Sequence, residues 1–246
     1  MKKLAFITGA AKRIGREIAL SLAQQGWAVA IHYHHSEEEA TATYEEIKRC
    51  GVPAMKIQAD LMEEVQVAAM IPRINQELGA ITCLINNAAA FVNDTLAKQS
   101  RASFDLHLET NLRAPLSLTQ QFAAQLPAGE PGNVINILDY CVWKLPEKKF
   151  FSYGISKAAL WAATQMLALE LAPLIRVNAI GPGLALPNTN QNLAMFEAMN
   201  LSSPLQHGTN PEEICQAVHF LLNAPSVTGQ MIALDSGRHL ANQGYF

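Results

Sequence analysis

A doubly wound, parallel α/β sheet in a single domain is the fold class this sequence predicts, and three observations predict it. Short apolar runs alternate along the chain with longer stretches of helical period. The runs are apolar at consecutive rather than alternate positions, as in strands that helices cover on both faces. No low-complexity linker divides the 246 residues, half of which are hydrophobic, so one large core is within reach.

Taken in order, LAFIT at 4–8 is the first strand, and the stretch 13–25 has helical period. AVAIHY at 28–33 is the second strand, closed by the polar HHS of 34–36 ahead of a helix at 37–50. PAMKIQ at 53–58 and a helix at 63–78 follow, then TCLINN at 82–87 and a helix at 101–125. NVINIL at 133–138 is the fifth strand and runs directly into Asp139, ahead of a helix at 153–171. IRVNAIG at 175–181 and QMIALD at 230–235 complete about seven strands, with a last helix at 211–222 between them. The segment 183–205 breaks the alternation, polar at first and then weakly helical, and in a compact domain such an excursion reads as a lid or substrate loop. Parallel sheets of this kind bind ligands beyond the carboxyl ends of their strands. Asp139 therefore falls where the fold puts chemistry, and a carboxylate on an apolar strand is costly unless it is paired, hydrogen-bonded or used.

A net charge of −3 and a pI near 6.2 supply no basic stripe for nucleic acid. The apolar stretch at the N-terminus is cut short by Lys12 and Arg13, so neither a signal peptide nor a membrane-spanning helix is expected. Cys50, Cys83, Cys141 and Cys215 lie far apart with no CxxC spacing, which argues against a zinc knuckle or a disulfide framework and for a reduced, cytoplasmic compartment.

TGAAKRIG, at 8–15, follows the first strand and opens the first helix. Gly9 permits a tight turn, Gly15 permits close packing, and the helix N-terminus offers unpaired N–H groups to a pyrophosphate. An ordinary strand-to-helix turn is the plainer alternative, but spacing and placement favour a dinucleotide site of the Rossmann type. Here the chain resembles the short-chain dehydrogenase/reductase family, whose usual turn is TGxxxGxG. Arg13 stands at the middle glycine, a substitution typical of the pteridine reductase branch, and a cation there suits a close phosphate or a polar substrate. The second strand ends in HYHHS without the acidic residue that binds a ribose 2′-hydroxyl in NAD sites. With Arg13, His34, His35 and Ser36 nearby, a 2′-phosphate and hence NADPH is the expected cofactor. His32 and His34 could share a strand face as metal ligands, but no third ligand is in view and no metal is expected. Asp60, after the third strand, is read either as the family's adenine-contacting aspartate or as a helix N-cap.

Tyr153 and Lys157 of YGISK are four apart at the start of an apolar helix and share one face. An ammonium beside a phenol is expected to lower the tyrosine pKa from about 10, which would suit proton transfer to a substrate while hydride arrives from a cofactor. In NLRAP, Pro115 has no N–H for the carbonyl of Asn111 four residues earlier. That carbonyl could hold a water, as the family's helix asparagine does in a relay to the active-site lysine; a packing kink is the simpler alternative.

INNAA at 85–89 resembles the family's NNAG motif, with Ala89 in place of glycine, and GPG at 181–183 lies further on, at the end of the sixth strand. Phe91 falls where pteridine reductases carry an aromatic that stacks the flat pteridine; otherwise it is a core residue. The general family has a serine where this chain has Asp139, and pteridine reductases have an aspartate. DSGRHL at 235–240 resembles the bacterial dihydromonapterin-reducing members of that branch. The resemblance thus implies Asp139, Tyr153, Lys157 and Asn111 as catalytic, and Phe91, Arg13, Asp139 and Tyr153 as substrate-binding. It implies cofactor contacts from Gly9, Arg13, Ile14, Gly15, His34, His35, Ser36, Asp60, Leu61, Asn87, Ala88, Lys157, Pro182 and Gly183.

The leading expectation is NADPH-dependent reduction of a dihydropteridine, of dihydromonapterin or dihydrofolate type, with Tyr153 and Asp139 handling the proton. The alternatives are a carbonyl reductase, such as a 3-oxoacyl thioester reductase, and a regulator that binds NADPH without turnover. The helix from Tyr153 is apolar nearly all round, more than one sheet face can cover, which predicts a homodimer or homotetramer.

Overall fold

Seven parallel strands form one sheet in the order β3-β2-β1-β4-β5-β6-β7. They are β1 Leu4–Ile7, β2 Ala28–Tyr33, β3 Ala54–Gln58, β4 Cys83–Asn86, β5 Gly132–Ile137, β6 Ile175–Pro182 and β7 Met231–Leu234. The computed structural model describes residues 3–145, 148–187 and 192–241. Each strand coincides with an expected apolar run, because β1, β2 and β4 are buried at every position and have no solvent face to mark with polar residues.

Helices cover both faces. Helices α1 (Arg13–Gln24), α2 (Glu37–Arg49) and α8 (Pro211–Asn223) lie on one side, where Ile18, Leu22, Ile47 and Leu221 pack against Ile7 and Ile31. On the other side, α3 (Glu64–Leu78) and α5 (Ala114–Gln125) pack Ile71, Ile74, Leu118 and Phe122 against Leu4, Phe6 and Leu84. Each such fully buried side chain contributes about 1.5–3 kcal/mol relative to exposure. The core therefore holds the strand ends rigid for whatever is mounted on them.

The expected helix at 101–125 is three pieces: α4 (Arg101–Leu108), a π-helical turn at Glu109–Arg113, and α5. Pro115 explains the wide turn, since it cannot donate to the carbonyl four residues back and Ala114 N–H bonds five back, to Glu109. A buried polar chain secures helix α6 (Phe151–Glu170) to the sheet. Asn86 donates to Asn136 at 2.8 Å, Asn136 donates to Thr164 at 2.9 Å, and Thr164 donates back to Leu160 within α6. The buried face of α6 carries Tyr153, Lys157, Leu160, Thr164 and Ala168. Within the expected loop at 183–205, helix α7 (Leu193–Leu201) begins at Asn192, whose side chain accepts from Ala194 N–H; positions 188–191 lie outside the described residues. No described helix is long and apolar enough to cross a membrane.

Candidate active site

The strand order reverses between β1 and β4, and two adjoining clefts open there at the carboxyl ends of the strands. The first, of about 480 Å³, is lined by Gly9, Arg13, Ile14, Gly15, His34, Asp60, Leu61, Asn87 and Ala88 of the expected set. The second, of about 830 Å³, is lined by Phe91, Asp139, Tyr153, Lys157, Pro182 and Gly183. Arg13, Ile14, Asn87 and Ala89 line both, so the clefts are two ends of one trough.

The glycines of the turn form a cradle that a side chain would fill. A Cβ on Gly15 would meet Asn87 Nδ2 and Gly9 O at 2.5 Å, and one on Gly9, at φ +62°, would meet Ala88 Cα at 2.9 Å. Asn87 draws β4 against this turn by donating to the Thr8 and Gly9 carbonyls, while Thr8 Oγ1 accepts from the Asn87 and Ala88 N–H groups. The close approach and the open α1 N-terminus fit a dinucleotide pyrophosphate. Arg13 takes the left-handed conformation, φ +57°, natural to the glycine it replaces, at about 1–2 kcal/mol. Its guanidinium crosses the trough to donate to the carbonyls of Pro187 and Leu186.

His32 corrects the metal alternative. Buried in β2, it accepts from Gly9 N–H through Nδ1 and faces the Ala59 carbonyl through Nε2, so both ring nitrogens are committed to backbone. Burial lowers its pKa to about 4, which keeps it neutral and able to accept. His34 lies beyond the strand, stacked on His35 and 3.5 Å from the Asp60 carboxylate. Among the described residues no cluster could hold a metal. His35 is displaced from the expected dinucleotide cleft into a side cavity that it shares with His34 and Asp60, and Ser36, which immediately precedes α2, lines neither cleft. The N-cap alternative for Asp60 is also corrected, since Glu63 takes that position and Asp60 accepts from Met62 N–H in a local turn.

In the second cleft, Tyr153 Oη donates to Asp139 Oδ2 at 2.8 Å, and Asp139 Oδ1 accepts from Cys141 N–H at 2.8 Å. Lys157 Nζ donates to the Ile137 carbonyl at 2.8 Å and lies 5.8 Å from the Tyr153 ring centre. Tyr153 and Lys157 are buried, and Asp139 is half-buried at the cleft wall. Burial pushes the Asp139 carboxyl up against the downward pull of its hydrogen bonds and Lys157, and burial brings Lys157 down to about 8. The expectation for Tyr153 is reversed: burial first, then the adjacent Asp139 carboxylate, raises the phenol well above its ordinary value. The site therefore favours a protonated Tyr153 phenol, hydrogen-bonded to Asp139, rather than a phenolate.

Asn111 lines neither cleft. Its buried side chain accepts from Ala90 N–H at 2.7 Å and donates to Ala90 O and to Ser156 Oγ, each at 3.0 Å. Only its main-chain carbonyl is left for the expected relay. Phe91 is no core residue: it is partly exposed at the cleft, its ring 4.7 Å from Phe150 and edge-on to Tyr153 at 4.6 Å. Sequence reasoning missed Lys12, Met62, Leu106 and Thr110 in the first cleft and Asn93 and Leu138 in the second. A residue count outward from each strand end could have found Leu138, which directly precedes Asp139.

A family model described as enoyl-(acyl carrier protein) reductase matches residues 9–239. The 3-oxoacyl-[acyl-carrier-protein] reductase FabG of Staphylococcus aureus is 33% identical over 245 residues, 98% of this chain and 99% of that one. Among solved structures, the FolM alternative dihydrofolate reductase 1 of Brucella canis, complexed with NADP, is 40% identical over 98% of this chain and 96% of that one, with a TM-score of 0.92. Its Brucella suis counterpart, also in complex with NADP, has the same identity and coverage and a TM-score of 0.94. On its fold, its phosphate-binding turn, its Tyr153–Lys157 pair and these likenesses, the chain belongs to the short-chain dehydrogenase/reductase family of oxidoreductases.

Proposed function

We propose that the protein reduces the C=N bond of a dihydropteridine, of dihydromonapterin or dihydrofolate type, with NADPH. The observation that carries this reading is the Asp139–Tyr153 hydrogen bond at 2.8 Å in the larger cleft, where the wider family uses serine. A carboxyl whose pKa burial raises takes up a proton more readily, and in its acid form it can give that proton to a ring nitrogen and be resupplied by the Tyr153 hydroxyl at hydrogen-bond distance. NADPH, when bound, supplies the hydride. Gly9, Gly15 and Asn87 would cradle its pyrophosphate, Arg13 and His34 would meet the 2′-phosphate, and Lys157, Pro182 and Gly183 would border the nicotinamide end. Phe91 offers a flat wall for the pterin ring. The likeness to the Brucella FolM proteins supports the substrate class.

A 3-oxoacyl thioester reductase is the second reading, favoured by the full-length likeness to FabG. Deuteride transfer separates the two: incubation with [4-²H]NADPH and a dihydropteridine should yield a tetrahydropteridine heavier by one deuterium, and an unlabelled, unreduced pterin rejects the proposal. A homodimer or homotetramer is also proposed, since the apolar side chains of Met166 and Leu169 on α6 are 70% and 83% exposed. Sedimentation as a monomer at micromolar concentration would contradict it. The four cysteines are free, in keeping with a cytoplasmic location.

A further inference from the structure

The segment that carries Phe91 has its side chains toward the cleft and its backbone tied down from behind. Phe91 and Val92 are 42% and 47% exposed, so hydrophobic burial does not fix them. Hydrogen bonds do: Ala90 is held by the Asn111 side chain, and Asp94 accepts from Ser152 N–H at 2.9 Å. Between those anchors the hold on the segment is His107, which is fully buried on α4 and accepts from Val92 N–H through Nε2 at 3.1 Å. Its Nδ1 lies 2.7 Å from the Ser103 carbonyl. A carbonyl only accepts and an amide N–H only donates, so the ring is the neutral tautomer with its proton on Nδ1. Imidazole suits the place because it donates to its own helix at one end and accepts from the cleft segment at the other.

We infer that His107 is a positioning residue for the substrate cleft: by holding Val92 N–H it fixes the backbone next to Phe91 and so sets the distance between the aromatic wall and Tyr153. The inference rests on the pterin reading for the identity of the substrate, though not for the geometry. Leucine at 107 would keep the bulk and take away the acceptor of Val92 N–H, freeing the segment between Ala90 and Asp94. Glutamine can reach Val92 with its carbonyl oxygen, whereas asparagine can reproduce only the Nδ1–H contact.

The test is steady-state kinetics with NADPH and a dihydropteridine, together with NADPH dissociation constants from fluorescence titration. His107→Leu should raise KM for the pterin about tenfold while the NADPH dissociation constant stays within twofold, and His107→Gln should recover most of the loss. In a Phe91→Leu background the same His107→Leu change should add less than twofold, because its target is already gone. If the leucine variant does not fold, His107→Asn takes its place with the same expected rise. Equal loss toward pterin and NADPH, or a glutamine variant no better than leucine, would overturn the inference. Were the wild type to reduce only a 3-oxoacyl thioester, the pterin reading would fail, and His107 would be judged by the same split measured on the thioester KM.

Discussion

Replacing Asp139 by asparagine separates the carboxyl's proton from its shape. The Tyr153 hydroxyl and the Cys141 N–H each contact one Asp139 oxygen at 2.8 Å. Asparagine keeps an oxygen for Cys141 and turns its amide toward Tyr153, whose oxygen can accept, so the folded state should lose no more than about 1 kcal/mol. Proton donation is lost entirely. General acid catalysis is worth about 10²–10⁴-fold, or roughly 3–5 kcal/mol of barrier. Following NADPH consumption with a dihydropteridine, kcat for Asp139→Asn should fall by at least about a hundredfold while the NADPH dissociation constant holds. The pH profile carries the sign. Burial raises the Asp139 pKa, so its acid form persists above the ordinary carboxylate range, and wild-type kcat/KM should fall as pH rises through that displaced value. The asparagine variant should lack that limb. A variant within threefold of wild type, or one that keeps the limb, would refute the assignment of the proton to Asp139.

Three further outcomes follow from the same geometry. Lys157 is buried with its pKa lowered from 10.5 to about 8, so its charge costs stability that returns as pH rises from about 8 toward 10.5. Lys157→Met should therefore abolish reduction yet unfold at higher denaturant at pH 7, by up to about 3 kcal/mol, with the gap closing by pH 10; a less stable variant at pH 7 contradicts this. Gly15→Ala should cost about 1–3 kcal/mol in denaturant unfolding and weaken NADPH binding at least tenfold in calorimetric titration, because its methyl would sit 2.5 Å from Asn87 Nδ2 and Gly9 O. His34→Asp places a carboxylate beside the first cleft and should cut the NADPH over NADH preference in kcat/KM by about tenfold; an unchanged ratio would remove His34 from 2′-phosphate recognition.

The sheet was legible because parallel strands covered on both faces leave unbroken apolar runs, and the phosphate turn because its glycines sit between a strand and a helix. Asp139 was legible as a charge at a strand end. Less so were residues whose work is a side chain bonding to a distant backbone. His107 and His32 reach Val92 and Gly9 across gaps in sequence that no periodicity marks. The protonation of Tyr153 could not be read from the four-residue spacing to Lys157, because spacing reports a neighbour's charge and not the water that burial removes. The π turn before α5 is the middle case: Pro115 announced a break, but not whether the helix would end, kink or widen.

The central claim is the substrate, and the most direct measurement is wild-type kcat/KM for a dihydropteridine against that for an acetoacetyl thioester, with NADPH in the same buffer. A ratio of at least about a hundred in favour of the pterin, a difference of some 3 kcal/mol in transition-state binding, is the predicted result. Turnover of the thioester with none of the pterin would contradict the account.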